Sequence, residues 1–331
     1  MHDATDESGA ADHTIIFVHG RGFKPPEADY LESVIAAMTC GVEQDSREFL
    51  DLFASTQKML AYYGDLNNDY LSKDGEMFDE RLDISDRHDT LHQLSALDRK
   101  KGFGVKNYDR LPGKSALGEF AASALAPLLS AIGVQKKIVS RLNRDLGEYW
   151  RTESELRSSI LERVRGAICR AIDDDQRIML ISHSTGTIVS YDALWQLSHD
   201  SAFNDEYGDA KIDVWLTLGS PLGDSMVRRQ LLGHGRRGRE RYPTNVLAWH
   251  NVAAEDDYVS HDPTVADDFK AMMKQRQISS IRDYRIYNLA VRYGRSDPHC
   301  SLGYLCHPRV AKVLVDWLQK SRGRALPMNN S

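Results

Sequence analysis

Ile178-Met179-Leu180-Ile181-Ser182-His183-Ser184-Thr185-Gly186 is the stretch on which the fold turns. Its four leading apolar residues have the continuity of a strand buried on both faces. They end in a knot of small residues, and apolar residues at helical spacing follow at Ile188, Val189 and Leu194. The reading is strand, tight turn, helix. Such a turn holds its central residue in a strained backbone conformation and pushes that side chain out at the carboxyl end of the sheet. It admits only small neighbours, because the strand and the helix start crowd together there. Ser184 is the residue so presented. The pattern sought is G-x-S-x-G, and Ser182 stands at its first position, so the turn reads S-x-S-x-G.

Working outward, the same rhythm recurs. Thr14 to Val18 is a continuous apolar run closed by His19-Gly20-Arg21-Gly22, and a helix is expected from about Glu27 to Met38. Gln57 to Tyr63 reads as the next strand. Glu153 to Ile172 carries Leu156, Ile160, Leu161, Val164 and Ile168 at helical spacing and leads into the strand at 178. Asp213 to Leu218, Asn245 to Val252 and Ile286 to Val291 read as three further strands, and a helix from Val310 to Leu318 follows His307-Pro308. Strands alternating with helices predict an α/β fold, with a mostly parallel sheet covered by helices on both faces.

The segment from Leu66 to Asn143 breaks the rhythm and reads as a helical, cap-like insertion in a single domain spanning 13–320, with tails at 1–12 and 321–331. Within it, Phe120 to Val134 carries no charge. That run reads as a buried helix pair or as part of a cap.

Composition bounds the function. The 331 residues include 27% charged residues and carry a net charge of −6, which argues against a general nucleic-acid binder. No apolar run reaches the roughly 18–20 residues of a membrane-spanning helix. Met1 to Asp12 lacks the basic start and apolar core of a signal peptide. The four cysteines, Cys40, Cys169, Cys300 and Cys306, fall in no metal-ligand spacing, so free thiols and a cytoplasmic location are expected. The loop after Val18 has Pro25 where a dinucleotide fingerprint needs its third glycine, and no phosphate-binding loop sequence occurs. Neither a cofactor nor a metal is expected.

In a parallel sheet, function gathers in the loops at the carboxyl ends of the strands. Four such loops carry reactive residues: His19-Gly20-Arg21, Ser184, Asp257 and His299. A serine hydroxyl needs a neutral imidazole to take its proton, and the imidazole needs a carboxylate to fix its tautomer and stabilise its cation. Serine, acid and histidine occur here in that chain order. Asp256 competes with Asp257 for the acid. His183 is too close to Ser184 on a tight turn to face it and reads as a support of the turn. His307 reads as a helix cap, and His19, His250 and His261 as structural residues.

On these residues the chain resembles the α/β-hydrolase superfamily of serine hydrolases, from Thr14 to about Leu318. Ser182-His183-Ser184-Thr185-Gly186 is similar to the Gly-His-Ser-x-Gly of lipases and esterases. Leu218 to Leu222 and Asn251 to Val259 look like the matching stretches of intracellular phospholipase A1-like and bacterial lipase-like proteins. The departure is Ser182 for glycine. The resemblance implies Ser184 as nucleophile, His299 as base and Asp257 as its acid, with the backbone N–H groups of Arg21 and Thr185 as the oxyanion hole. It implies a small-molecule ester or lipid substrate and leaves peripheral membrane contact, a phospholipase, a thioesterase, an amidase and a non-catalytic binding protein open. An apolar acyl group is expected, with Phe120 to Val134 lining its pocket. The arginines from Arg228 to Arg241 read as a solvated loop or as a contact for an anionic head group.

Overall fold

The computed structural model describes residues 12–73, 75–113, 147, 149–151 and 154–322. Six parallel strands form the central sheet: β1 (His13–Val18), β2 (Gln57–Ala61), β3 (Arg177–His183), β4 (Ile212–Leu218), β5 (Val246–Ala254) and β6 (Ser280–Ile286). Their spatial order is β2-β1-β3-β4-β5-β6. Successive side chains of a strand point to opposite faces, and β1 shows the result. Ile15 and Phe17 enter one apolar core, Ile16 and Val18 the other.

That strand order sets where the helices lie. The chain steps one way from β1 to β2 and the other way from β2 to β3. Right-handed crossovers therefore put the connecting helices on opposite faces. Helix α1 (Glu27–Asp45) covers one face through Tyr30, Val34, Ala37, Met38 and Val42, together with α6 (Ser301–Cys306) and α7 (Pro308–Arg322). On the other face lie α4 (Glu155–Asp173) and α5 (Gly186–His199), whose Ile160, Val164, Ile168, Ile188 and Leu194 are buried. Ser154 caps α4, accepting a hydrogen bond from the Arg157 amide at 3.2 Å. Helices α2 (Gly64–Lys73) and α3 (Glu80–Ser95) belong to the long excursion between β2 and β3. A two-stranded hairpin, β7 (Val291–Arg292) with β8 (Arg295–Ser296), follows β6.

The α/β architecture and the parallel sheet agree with the sequence reading, and three expectations need correction. The sixth strand is Ser280–Ile286, not Ile286 to Val291. As an edge strand it bonds only to β5, so Arg282, Asp283 and Arg285 are tolerated and the apolar signature fades. The apolar run after it is instead a buried connection held by Asn288, which donates to the carbonyls of Pro298 and Cys300 at 2.9 Å each. Helix α1 runs seven residues beyond Met38, to Asp45.

The third correction concerns the cysteines, for Cys40 and Cys306 form a disulfide with their Cα atoms 5.4 Å apart. The pairing follows from α1 packing against α6, which brings together residues separated by 266 positions. Only Cys169 and Cys300 are free among the described residues. The argument from four free thiols to a reducing compartment therefore falls. No helix among the described residues is long and apolar enough to cross a membrane.

Candidate active site

The strand order reverses direction between β1 and β3, and a crevice opens there at the carboxyl ends of the two strands. Ser184 sits at its base. Its φ of +57° is the left-handed conformation expected for the centre of the turn. The turn is anchored by the Ser184 amide, which donates to the Leu218 carbonyl at 2.9 Å.

Close approach explains the glycine that ends the motif. A Cβ on Gly186 would meet the His19 carbonyl and lie 2.8 Å from that of Val18. Likewise a Cβ on Gly20 would stand 2.6 Å from Cβ of Ser184. These two glycines let the loop after β1 pack directly on the turn after β3. The serine at the first position of the motif is accommodated too. Fully buried Ser182 shares a hydrogen bond with Ser190 of α5 at 2.7 Å and accepts one from Trp215 Nε1 at 3.1 Å.

Ser184, His299 and Asp257 come together although they are spread over more than a hundred residues. His299 Nε2 lies 2.7 Å from Ser184 Oγ, and its Nδ1 lies 2.9 Å from both carboxylate oxygens of Asp257. A carboxylate only accepts, so Nδ1 carries a proton and Nε2 of the neutral ring is left to accept from the hydroxyl. Asp257 also accepts from Tyr304 Oη at 2.6 Å and from the Val259 amide at 3.0 Å. Tyr304 is itself fixed by the Ala254 amide, 2.8 Å from its hydroxyl.

Electrostatics follow from that geometry. Burial alone would raise the pKa of Asp257, but the charge of His299 and the hydrogen bonds from His299 and Tyr304 outweigh it and hold the carboxyl below 3.8. For His299, burial pulls down, while the charge and hydrogen bond of Asp257 prevail and raise the imidazole above 6.5.

The competing residues have other tasks. Asp256 accepts from Tyr108 Oη at 2.7 Å, while both ring nitrogens of His299 are taken by Asp257 and Ser184. His183 Nε2 donates to the carbonyl of His299 at 2.8 Å, so it steadies the backbone of that residue. Burial, then repulsion from His299, keeps its pKa well below 6.5. Fully buried His19 donates from Nδ1 to the Gly20 carbonyl at 2.8 Å and accepts from the Tyr63 amide at 3.1 Å, which spends both ring nitrogens. His307 accepts from the Arg309 amide at 3.0 Å and caps α7.

Arg21 and Thr185 lie side by side, but the Arg21 amide donates to Thr185 Oγ1 at 2.7 Å. The Arg21 amide is therefore open to another acceptor only when that hydroxyl turns away. The Thr185 amide belongs to the residue just before the first turn of α5, where the helix dipole favours negative charge.

A cavity of about 550 Å³ opens over Ser184. Its wall includes Lys24, Arg87 and Arg292, with Leu71, Glu76 and Arg87 coming from the excursion between β2 and β3. Sequence reasoning missed these cations and Tyr304. No pattern marks them, since they lie on unrelated segments. The apolar run Phe120 to Val134 lies outside the described residues. Arg228 and Arg241 line a separate, smaller cleft, and Arg228 is paired with Asp268. No cluster of three or more His, Cys, Asp or Glu able to hold a metal occurs among the described residues.

No protein-family model, no curated protein and no solved structure matches the chain.

Proposed function

We propose that the protein is a serine hydrolase of the α/β-hydrolase type that cleaves carboxylic esters through an acyl-enzyme. The observation that carries the reading is the hydrogen-bonded chain from Ser184 Oγ through His299 to Asp257, at 2.7 and 2.9 Å, built on a serine with φ of +57°. A structural serine needs neither that strained backbone nor a histidine oriented by a buried carboxylate.

In this mechanism His299 Nε2 takes the hydroxyl proton as Ser184 Oγ bonds to the ester carbonyl carbon. The carbonyl π electrons move to oxygen, which the Thr185 amide receives, joined by the Arg21 amide once the Thr185 hydroxyl rotates away. The tetrahedral intermediate collapses, the bond to the leaving oxygen breaks, and the His299 proton goes to the departing alcohol. Water, deprotonated by the same nitrogen, then releases the carboxylic acid and restores Ser184. Base catalysis of this kind contributes roughly a hundredfold to ten-thousandfold, and each oxyanion donor about as much as a hundredfold to a thousandfold. Thioesters and phospholipid esters present the same carbonyl and fall within the same chemistry.

The direct test is labelling by a fluorophosphonate probe. The intact protein should be labelled and Ser184→Ala should not, while retaining its melting temperature. Labelling that persists in Ser184→Ala would refute the assignment.

A further inference from the structure

The cavity over Ser184 has a cationic wall that the hydrolytic chemistry does not require. Lys24 is only 7% exposed, yet no carboxylate lies within 4.0 Å of its ammonium among the described residues. Its Nζ donates to the carbonyls of Arg21, Gly22 and Phe23 at 3.0, 3.1 and 3.2 Å. Three acceptors call for three N–H donors, which only the protonated form has. Burial, followed by the charge of Arg87, nonetheless lowers its pKa to about 7. A buried ammonium answered by carbonyl dipoles, the Tyr30 ring and the more distant charge of Asp83, with no carboxylate in contact, is an expensive arrangement unless an anion joins it.

Arg87 and Arg292 extend the wall. Arg87 Nε donates to Asp83 at 2.6 Å, Arg292 Nη2 donates to the same carboxylate at 2.6 Å, and Arg292 Nε is paired with Asp86. These bonds use Nε and Nη2 of each guanidinium and leave both Nη1 groups without a protein acceptor among the described residues. The two aspartates hold the guanidinium planes in place from behind. Lys24, Arg87 and Arg292 against Asp83 and Asp86 leave one positive charge in excess inside the cavity. Glu76 also borders it, but is exposed, where solvent screens it.

We propose that this cavity selects esters bearing an anionic group, a carboxylate or a phosphate, which the Nη1 groups of Arg87 and Arg292 receive beside the charge of Lys24 while the ester carbonyl lies on Ser184. The inference rests on the hydrolase reading for the placement of the ester, but the anion site stands on its own residues. An anion there neutralises the excess charge in a low-dielectric setting, and guanidinium N–H groups held by aspartates lose little freedom in binding it.

Two measurements on the full chain test it. By calorimetry, glutarate or inorganic phosphate should bind at least tenfold more tightly than the uncharged isostere glutaramide, and Lys24→Met should remove most of that difference. Preference for glutarate identifies a carboxylate site, and preference for phosphate a phosphate site. In turnover, kcat/KM for the mono-p-nitrophenyl ester of glutaric acid should exceed that for p-nitrophenyl pentanoate at least tenfold, and the ratio should fall in Lys24→Met. If that variant does not fold, the comparison of ligands on the intact protein decides. Equal binding of glutaramide and both anions overturns the inference even when Ser184 is labelled by a fluorophosphonate. Anion binding without labelling instead overturns the hydrolase reading and leaves the anion site standing.

Discussion

Two buried aspartates, Asp192 and Asp257, take three kinds of hydrogen bond each and differ in what lies beyond their partners. Asp192, fully buried in α5, accepts from Tyr149 Oη at 2.9 Å, Arg157 Nη2 at 3.0 Å and the Leu232 amide at 2.9 Å. Asp257 also has a tyrosine and a backbone amide, but a histidine replaces the arginine. Burial wins at Asp192 and raises its pKa. At Asp257 the partners win. Arginine never gives up its proton, so the charge of Asp192 is answered once and goes no further. The partner of Asp257 has a second nitrogen, 2.7 Å from a hydroxyl, so its charge acts on a group that can react. Similar bonding thus serves packing in one place and, on the proposed mechanism, proton transfer in the other.

The sharpest way to break this comparison is to neutralise each carboxylate. Asp257→Asn should lower kcat on the order of ten-thousandfold, because the amide stabilises the wrong tautomer of His299. The melting temperature should change little. In Asp192→Ala the loss should appear in stability, about 3–5 kcal/mol by denaturant, as expected when a buried ion pair loses one partner. Its folded fraction should keep its turnover. If Asp192→Ala abolished turnover at full occupancy of the fold, the division of labour would be wrong.

A smaller effect tests the imidazole itself. His299 acts as a base only when neutral, and its pKa lies above 6.5. On the proposed mechanism kcat/KM should therefore rise with pH, with an apparent pKa above 6.5. Stability should move the other way. A histidine whose folded pKa exceeds its unfolded value contributes fully below the unfolded pKa, and the contribution is lost as pH rises through the folded one. The stability difference between the protein and His299→Gln, measured by denaturant across that window, should shrink as activity grows. An acid limb lying below 6.5 would contradict the ion pair with Asp257.

Smaller again is the effect expected at the neighbouring carboxylate. Asp256 holds a left-handed φ of +60°, which asparagine tolerates, and bonds to Tyr108. Asparagine keeps an acceptor for the Tyr108 hydroxyl and loses only the charge-assisted part of the bond, about 1 kcal/mol, so Asp256→Asn should cost less than about tenfold in kcat/KM. A loss matching that of Asp257→Asn would return the acid to dispute.

The comparison also shows what sequence can and cannot display. Ser184 was legible because crowding at the turn imposes small residues on contiguous positions, and a contiguous constraint leaves a pattern. His299 was legible from its place after the sheet, although the strand before it was misplaced: an edge strand tolerates Arg282, Asp283 and Arg285, whereas the buried loop around Asn288 is apolar enough to mimic a strand. Tyr304, Lys24, Arg87 and Arg292 left no signal, since each is set by contacts between distant segments. The same holds for Cys40 and Cys306, whose meeting depends on how α1 packs against α6.

The smallest effect is expected where the chain departs from the hydrolase pattern, at Ser182. Glycine there would restore G-x-S-x-G, which makes Ser182→Gly a test of whether the departure belongs to the chemistry or to the packing beneath it. Ser182 points away from the reacting atoms, into a polar contact between β3, α5 and β4 through Ser190 and Trp215. Removing its hydroxyl leaves the buried Trp215 Nε1 without that acceptor, at a cost of about 1–3 kcal/mol. Glycine in a strand adds roughly 0.5–1 kcal/mol through backbone entropy. The left-handed turn at Ser184 remains pinned by the Leu218 carbonyl and by the crowding at Gly186. Stability should therefore fall while kcat/KM and fluorophosphonate labelling of the folded protein stay as they were. A drop of tenfold or more in kcat/KM, about 1.4 kcal/mol of barrier, with stability unchanged would place Ser182 among the groups that position Ser184.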